Sequence, residues 1–502
     1  MKNQYIDKAL LTPRPKIYAG DLDLPSVSQE AWRTVIAANN PPSFFRYGDS
    51  IARVNFDTNG APVVHLLTQH GIRFVLARAG WWYVIFKGQK VSALPPMHVV
   101  HDMLANPAIP LPVLSRIVTA PVFAPDGTLQ TNPGYHDASR CYYAPADGLL
   151  IPGVPQQPTP SDVSLALTLI TKELLGDFPF VGDSERAHAL ALLLLPFVRE
   201  LIDGPTPLHL IEKPTPGTGA GLLADMLTYP FLGHSASVMA EGRDDDEWRK
   251  RITAKLMTGE SIFLIDNVRS HLDSSALSAA LTGPSWEDRI FGYSRMVKVP
   301  VRAISIATGN NPGLSNEMSR RTVRIRLDSG DGQPWLRNNF HHPDLRGWAI
   351  KHRPELIWAA LTIVQAWIAA GRPEGQIPMG SYEQYSKVIG GVLAANGING
   401  FLENRQDLYQ QSDAEGQAWA GFVGEWQRRF GSKEVGVSDL YDIVAPPLDD
   451  PIDLNLGNGN ERSQKTTLGR LLMQHRNRRF GDLIITAGGK KHGAQQWKLV
   501  KV

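Results

Sequence analysis

Hydrophobic positions along the chain change their spacing twice. Between residues 50 and 94, alternating apolar side chains predict short strands at Ile51–Phe56, Pro62–Leu67, Ile72–Ala77 and Trp81–Lys87. Three continuous apolar runs follow, at 208–211, 261–265 and 303–307, as is typical of strands buried on both faces of a parallel sheet. After residue 328 the pattern is helical, through 345–370 with an interruption at Pro354 and again through 382–395. An α/β protein is predicted.

The first buried run leads into a glycine-rich loop and a helix. The loop reads Lys213-Pro-Thr-Pro-Gly-Thr-Gly-Ala-Gly221. A strand, a glycine loop and a helix N-terminus can direct successive backbone N–H groups at a phosphate. This is the order of a P-loop, but Ala220 and Gly221 occupy the positions of the usual Lys and Ser/Thr. The predicted nucleotide-binding residues are Pro216, Gly217, Thr218, Gly219, Ala220, Gly221 and Leu222.

The other two buried runs each end in polar residues. The second ends in Asp266-Asn267, where a carboxylate could hold Mg²⁺, and the third is followed by Gly309-Asn310-Asn311. The amide tip suits contact with a γ-phosphate or an attacking water. Each feature also has a purely structural explanation, but their joint order and spacing predict a nucleoside-triphosphate site.

With these segments, the stretch Trp286–Ser294 and the pair Arg320-Arg321, the chain resembles the AAA+ ATPase core of superfamily 3 helicases, and more closely the helicase part of primase-helicase proteins of phages, plasmids and integrated elements. The resemblance covers about 205–330. It implies ATP bound between subunits of a ring, with a hexamer expected. The catalytic residues that it implies are Asp266 on Mg²⁺, Asn310 on water or the γ-phosphate, and Arg320 or Arg321 as an arginine finger across the interface, with Asn267 in place of a catalytic glutamate.

Residues 289–300 have the form of a hairpin. Superfamily 3 helicases place such a hairpin in the central channel, so the resemblance implies contacts of Tyr293, Arg295 and Lys298 with single-stranded DNA. Cations bind phosphates, and aromatic rings stack on bases irrespective of sequence. An ordinary surface hairpin is the alternative.

The charge distribution singles out the C-terminal end. The net charge is +2, whereas residues 462–502 hold ten Lys and Arg against one Asp, which gives +9 and leaves −7 for the rest. Helices at Asp439–Ala445 and Ser463–Arg479, then strands at Gly481–Thr486 and Gln495–Val500 around a Gly488–Gly493 tip, predict a winged helix on duplex DNA. A winged helix used only for protein contacts is the alternative. The candidate residues are Lys465, Arg470, Arg476, Arg478, Arg479, Lys490 and Lys491.

The amino-acid composition excludes several classes of protein. The single cysteine, Cys141, excludes an internal disulfide framework and a cysteine-rich zinc site, so a cytoplasmic setting is expected, and no apolar run is long enough to span a membrane. A primase would need metal-binding carboxylates near the N-terminus, and a turn explains the Asp21–Asp23 pair better. The predicted domains are an N-terminal α+β accessory or collar domain (1–155), a helical lead-in (156–204), an AAA+ P-loop ATPase core (205–335), a helical region (336–431) and a C-terminal winged helix (432–502).

Two functions remain open at this point. The first is a DNA replication ATPase or helicase of a mobile genetic element, forming a ring that melts or unwinds DNA with ATP and Mg²⁺; a separate primase or polymerase could act with it. The second is a non-hydrolysing DNA-binding initiator or scaffold, because Ala220 removes a cation and Asn267 cannot act as a base. Lys213 precedes the loop too early to replace the missing lysine.

Overall fold

The computed structural model describes residues 14–57, 60–269, 271–292, 295–412, 414–444, 452–454, 456, 460–491 and 493–501. The chain divides into two compact units, Met1–Arg405 and Gln406–Val502. Among the described residues, no helix combines the length and the apolar character needed to cross a membrane.

The first unit begins with a small α+β region. Its elements are β1 (Lys16–Tyr18), α1 (Leu24–Ala38), β2 (Phe44–Tyr47), β3 (Ser50–Phe56), β4 (Pro62–Leu66), α2 (Gln69–Ala79), β5 (Trp81–Phe86), β6 (Gln89–Ser92) and α3 (Met97–Ala105). The strands form two sheets, β2-β3-β4 and β1-β5-β6. The helices bury Trp32, Leu76 and Val100 in one core with Trp82. At its start, Asp23 N–H donates to Asp21 at 3.0 Å, so this acid pair forms a turn.

The predicted strand at Ile72–Ala77 is wrong, because this stretch lies in helix α2. The Thr68 side chain caps the helix by accepting from Gly71 N–H at 3.4 Å. The buried residues are Ile72, Val75, Leu76 and Ala79, which is helical spacing. A six-residue segment that is apolar except for Arg73 fits both periods. The Thr68 cap and the buried stripe at helical spacing decided in favour of the helix.

A strand-rich connection and two helical segments lead to the central sheet. The elements are β7 (Arg116–Val118), β8 (Val122–Phe123), β9 (Leu129–Gln130), β10 (Gly134–His136), β11 (Cys141–Tyr143), α4 (Pro160–Thr168), a π-helix (Leu169–Leu174), α5 (Asp183–Val198) and a 3₁₀ turn (Arg199–Leu201). Helix α5 is buried along most of its length. It joins the largest core together with α6, α11 and α12, which are defined below.

The central region confirms the predicted parallel sheet. Its elements are β12 (Leu208–Lys213), α6 (Ala220–Leu232), β13 (Ser237–Met239), α7 (Asp245–Met257), β14 (Ile262–Val268), α8 (Ser275–Thr282), β15 (Ser285–Arg289), β16 (Met296–Pro300), β17 (Ile304–Asn310), α9 (Asn316–Ser319) and β18 (Thr322–Arg326). Five strands pair in the order β13-β14-β17-β12-β18, all parallel. Strand β17 therefore lies between β12, which enters the glycine loop, and β14, which carries Asp266.

Helices complete the first unit. They are a 3₁₀ turn (Pro334–Leu336), α10 (Leu345–Lys351), α11 (Arg353–Ala369) and α12 (Glu383–Ala395). The predicted interruption at Pro354 is confirmed, since α10 ends at Lys351 and Pro354 lies in the first turn of α11.

The described residues of the second unit form helices and a three-stranded sheet. Its elements are α14 (Ala414–Phe430), α15 (Val437–Tyr441), α16 (Glu461–Gln474), β19 (Arg479–Phe480), β20 (Leu483–Lys491) and β21 (Ala494–Lys501), and α13 (Arg405–Ser412) leads into it. Val435 pairs with Trp497 through reciprocal backbone hydrogen bonds of 2.8 and 2.9 Å. The core is built on Trp419, Trp426 and Trp497.

Three predicted elements in this unit have wrong boundaries. The basic helix ends at Gln474 rather than Arg479, because Asn477 adopts a positive φ of 66° and Arg479 then pairs in β19. The predicted Gly488–Gly493 tip is shorter, because β20 continues to Lys491 past a register shift between Ala487 and Lys490. Glu434 accepts from Gly489 N–H at 2.9 Å at that shift. The predicted helix Asp439–Ala445 also differs, because the structure has a helix at Val437–Tyr441 that ends before Asp442. Ala445 itself lies outside the described residues.

Candidate nucleotide site and basic surfaces

The glycine loop lies at the carboxyl end of β12 and turns into α6. Gly217 and Gly219 have φ values of 85° and 102°, a region in which side chains other than glycine are strained. The Thr218 hydroxyl donates to the Thr215 carbonyl at 2.6 Å, which folds the loop onto itself. Gly219 immediately precedes the first turn of α6. The loop and the first-turn N–H groups of a 13-residue helix therefore form one edge that favours an anion.

The position of the missing lysine faces inward. Ala220 is 1% exposed and belongs to the core that packs under the sheet, whereas Gly221 is exposed and a Cβ there would meet open space. The loop supplies no cationic side chain between Pro214 and Leu222. An anion at this edge would be held by backbone N–H groups and the helix terminus.

A cation on the neighbouring strand is already paired. Arg326 on β18 contacts Glu212 on β12 at 2.9 Å, and Arg324 lies 3.6 Å from the same carboxylate oxygen. Glu212 is buried, so removing it would leave these guanidinium groups without their anion. Lys213 ends β12, where its carbonyl accepts from Asn311 N–H at 3.1 Å. No pattern in the sequence predicted the Glu212–Arg326 pair.

Asp266 and Asn267 lie on a β-bulge of β14. Ile265 pairs with Ala307 and Val268 with Gly309, so two residues on β14 face Thr308 alone on β17. The buried Thr308 hydroxyl donates to Asp266 Oδ1 at 2.7 Å and accepts from Asn267 N–H at 2.9 Å. The bulge exposes both side chains at the carboxyl edge of the sheet. Thr308 therefore fixes the orientation of the Asp266 carboxylate, a role that the sequence did not reveal.

The Asn267 side chain has its own partner. Asn267 adopts a positive φ of 58°. With the amide oxygen facing the Arg269 guanidinium, it accepts from Nη2 at 3.2 Å and from Nε at 3.1 Å. The neutral Asn267 carboxamide thus hydrogen-bonds the Arg269 guanidinium next to Asp266.

Asn310 lies next to the loop. It is exposed and pairs in register with Lys213, the last residue of β12. Gly309 is required before it, because a Cβ there would lie 2.8 Å from Pro312 Cγ. Asp266 is two strands away from the loop strand, about 10 Å at the usual strand spacing. The structure thus brings the loop, Asp266, Asn267 and Asn310 together at one edge.

Arg320 and Arg321 lie at the opposite edge of the sheet. The Arg321 carbonyl accepts from Leu208 N–H at the beginning of β12, and five residues of strand, about 17 Å, separate this position from the loop. Arg321 contacts Glu317 at 3.2 Å, and Arg320 is exposed. Within one chain these arginines are therefore not part of the loop site.

A tryptophan that the sequence did not single out lies against the loop. Trp335 is 58% exposed, and its side-chain atoms lie 3.3 Å from the point where a Cβ on Gly217 would project. The Phe178 ring lies 3.6 Å from the corresponding point on Gly219. Trp335 follows an irregular glycine- and proline-containing stretch, 329–334, so no periodic pattern marked it.

The predicted hairpin is present as β15 and β16. Tyr293 lies outside the described residues, whereas Arg295 and Lys298 are exposed, with Lys298 3.9 Å from Glu287. Asp288 anchors the hairpin to α7 through Arg249 at 2.5 Å. Phe291 is 75% exposed near the turn and was missed by the sequence analysis.

The candidate DNA-binding residues of the second unit lie in three places. On α16, Arg470 is exposed on one face with Arg462, whereas Lys465 contacts Glu461 at 2.6 Å. Lys490 and Lys491 are exposed at the end of β20. The remaining candidates lie between helix and hairpin: Arg476 is exposed, Arg478 lies over the Phe480 ring, and Arg479 donates to the Gly481 carbonyl.

No protein-family model and no curated protein matches the chain. Solved structures resemble it weakly. An A-form apo structure of the NrS-1 C-terminal region has 12% identity and a TM-score of 0.41, covering 90% of this chain and 97% of that one. A second such structure has 11% identity and a TM-score of 0.37, covering 94% and 99%. The SCCmec type IV Cch, described as an active helicase, has 12% identity and a TM-score of 0.35, covering 90% and 91%. Similarity at this level carries no function to this chain.

Proposed function

We propose that this protein is a Mg²⁺-dependent ATPase acting on DNA, a ring-forming replication helicase of a mobile genetic element with a superfamily 3 AAA+ core. The observation that carries the proposal is the Asp266–Thr308 hydrogen bond of 2.7 Å. It orients an exposed carboxylate at the sheet edge that also bears the glycine loop. A parallel sheet gathers nucleotide-binding groups at this edge.

The residues at the carboxyl edge of the sheet would each contact a different part of the nucleotide. The loop N–H groups and the α6 terminus would bind the phosphates, and Asn310 would position a water or the γ-phosphate. Asp266 fits Mg²⁺, because its carboxylate is exposed and hard oxygen ligands suit this ion. When bound, Mg²⁺ neutralises charge that develops on the phosphates.

The distant arginines support a site shared between subunits. Arg320 and Arg321 lie at the amino edge of the sheet, so either would reach a nucleotide only on a neighbouring copy. A ring places such edges against each other, and an arginine finger supplied in trans can contribute ~10³-fold or more in rate. The hexamer belongs to this proposal.

The DNA contacts are assigned by charge and exposure. The hairpin residues Arg295 and Lys298 would contact a single strand, with Tyr293 as a stacking ring. In the second unit, helices α14, α15 and α16 precede the β20–β21 hairpin, and Val435 adds a bridge to Trp497. This order supports a winged helix on duplex DNA. The division into accessory, ATPase, helical and winged-helix domains is part of the same proposal.

A second function is favoured by two observations. The buried methyl group of Ala220 supplies no cation, and the Asn267 amide faces Arg269 rather than acting as a base. A chain with these features could bind nucleotide without hydrolysing it and serve as a DNA-binding initiator or scaffold.

ATP turnover distinguishes these functions. We would measure hydrolysis by the full chain with no DNA, with single strands and with forks, beside Asp266→Ala. Turnover stimulated by DNA and lost in Asp266→Ala supports the motor. Silence with retained DNA binding supports the scaffold, and activity that appears only in Ala220→Lys assigns the defect to the missing cation. If the folded parent protein neither hydrolyses ATP nor binds DNA, both functions are contradicted.

A further inference from the structure

Three potential metal ligands meet away from the nucleotide edge. His341 Nε2 lies 2.9 Å and His342 Nε2 lies 3.0 Å from the same carboxylate oxygen, Glu173 Oε2. The three ligand atoms lie within 4.8 Å of one another. Glu173 is 168 residues from His341 in sequence, so the cluster exists only in the fold.

The backbone on the glutamate side is unusual. Glu173 lies in the π-helix Leu169–Leu174, where Leu175 N–H donates to the Ile170 carbonyl at 3.0 Å. π-Helical turns are rare and are frequently found at functional sites. Gly176 follows it, and a Cβ there would lie 2.2 Å from the Lys172 carbonyl oxygen. The chain thus keeps a wide turn that directs Glu173 at the two histidines.

The histidine side is held in place by packing. The His342 ring stacks on Trp348 at 4.5 Å with an interplanar angle of 20°, and His352 stacks on Trp348 at 4.6 Å. His341 N–H donates to Asp177 at 2.8 Å. These contacts fix the segment with both Nε2 atoms toward Glu173 before any ion binds, which lowers the entropic cost of binding.

The donor set selects a class of ion. Two imidazole nitrogens and one carboxylate suit Zn²⁺ and its first-row neighbours, whereas Mg²⁺ and Ca²⁺ favour sets made of oxygen alone. His341 is 57% exposed in its side chain and Glu173 34%, so solvent can reach the cluster to supply a fourth ligand.

We propose that Glu173, His341 and His342 form a binding site for a divalent transition-metal ion of the zinc class, and that the bound ion fastens the segment 334–342 to the π-helix. This segment begins beside Trp335, which lies against the glycine loop. Arg337 lies in the middle and donates to the Asp177 carbonyl at 3.1 Å. The ion would therefore restrain the chain that covers one side of the loop.

The test uses the full chain stripped with chelator and titrated with Zn²⁺ by calorimetry, and with Co²⁺ by visible absorption. We expect one tight ion per chain and an intense Co²⁺ spectrum of less than six-coordinate geometry. His341→Gln and Glu173→Gln should each weaken binding by more than ~100-fold, since even outer-shell partners contribute roughly 10- to 100-fold. His234→Gln, an exposed histidine in the same unit, is the matched control.

Proteolysis tests the restraint without nucleotide or DNA. Because cleavage follows the population of the opened segment, Zn²⁺ well above its Kd should slow trypsin cleavage after Arg337 at least ~10-fold in the parent and in His234→Gln, but not in His341→Gln. The exposed His341 allows its variant to fold even if Glu173→Gln does not. No tight ion in the parent, or equal binding in the parent and His341→Gln, overturns the site. Tight binding with unchanged cleavage overturns the restraint. Neither readout depends on ATP hydrolysis, so the proposed function can fail separately.

Discussion

The glycine loop and the basic surface of the second unit are two candidate phosphate-binding regions with opposite designs. The loop offers backbone N–H groups and two glycines at positive φ, and the side chain at its lysine position is a buried methyl group. The basic surface offers exposed side-chain cations on α16 and β20. Backbone geometry would dominate phosphate binding at the glycine loop, and net charge would dominate it at the basic surface.

This difference predicts how phosphate binding at each region should respond to mutation and to salt. Backbone dipoles of the loop and helix terminus act at short range on a bound phosphate, and contacts that the bound phosphate shields from solvent are screened less by salt than interactions between exposed charges. Exposed cations release counterions from DNA, so their contribution falls with ionic strength and is shared among many side chains. The loop should therefore be sensitive to single changes in its neighbours, and the basic surface to salt.

Salt should produce the largest effect. If about six cations meet phosphates, duplex affinity should fall ~10³-fold between about 50 and 200 mM salt, while nucleotide affinity changes only a few-fold. Lys490→Ala with Lys491→Ala should lower the slope of log affinity against log salt by about 2. Fluorescence anisotropy at several salt concentrations measures both.

Lys501→Ala is the control for this prediction. It removes one positive charge from the same hairpin, but Lys501 lies 3.2 Å from Asp482 and is paired with it. Its slope should match the parent. An unchanged slope in the double variant would remove the wing from the DNA surface.

Acid should destabilise the unit that carries the loop. His188 and His209 are fully buried, and burial lowers their pKa values to about 4 and about 3. His188 already accepts from Leu402 N–H at 2.9 Å and contacts the Arg324 carbonyl at 2.7 Å, which fixes one neutral tautomer. The unfolded chain, with histidine pKa near 6.5, binds more protons as pH falls, so folded stability decreases on acidification. We expect a loss of roughly 4 kcal/mol between pH 7 and 5 for the two together.

Urea unfolding at pH 7, 6 and 5 measures this loss. His209→Gln retains a side chain able to bond Tyr385, which lies 3.1 Å from His209 Nε2, and removes one titrating group. Its pH dependence should be about half that of the parent. An equal dependence would mean that other groups control the acid response.

Thr308→Val should impair the nucleotide edge without changing its shape. The hydroxyl that orients Asp266 is lost, so we expect Mg²⁺-dependent nucleotide affinity or turnover to fall by roughly 10- to 100-fold. The unpaired Asn267 N–H should also cost about 1–3 kcal/mol of stability. Thr308→Ser keeps the hydroxyl and should remain near the parent. If serine and valine variants behave alike, the bond does not orient Asp266 for its ligand.

Trp335→Ala should have the smallest effect. If the exposed ring stacks on the base of a nucleotide in the loop, its loss should weaken binding by roughly tenfold, within the ~1–3 kcal/mol of base–aromatic stacking. Trp335→Phe should retain part of this nucleotide affinity. Leu336→Ala removes an exposed neighbouring side chain and should leave the nucleotide affinity unchanged. Equal affinity for a nucleoside triphosphate and for inorganic triphosphate in the parent would contradict the stacking.

Part of the candidate site was predictable because it is local. Strand, glycine loop and helix are consecutive, and the polar ends of neighbouring parallel strands share one edge. The loop, Asp266 and Asn310 lie at that edge in the structure. The assignment of 72–77 failed because a short apolar run fits two periods. The roles of these residues in hydrolysis and the DNA contacts stay predictions.

The sequence by itself determined the buried parallel strands, the loop without lysine and the concentration of positive charge near the C-terminus. Only the tertiary structure decided that Ala220 faces the core, that a bulge opposite Thr308 exposes Asp266, and that Trp335 lies against the loop. It also brought Glu173 to His341 across 168 residues. Periodicity encodes which face of an element is buried, whereas contacts between distant segments depend on how whole elements pack, and one sequence carries no direct record of that packing.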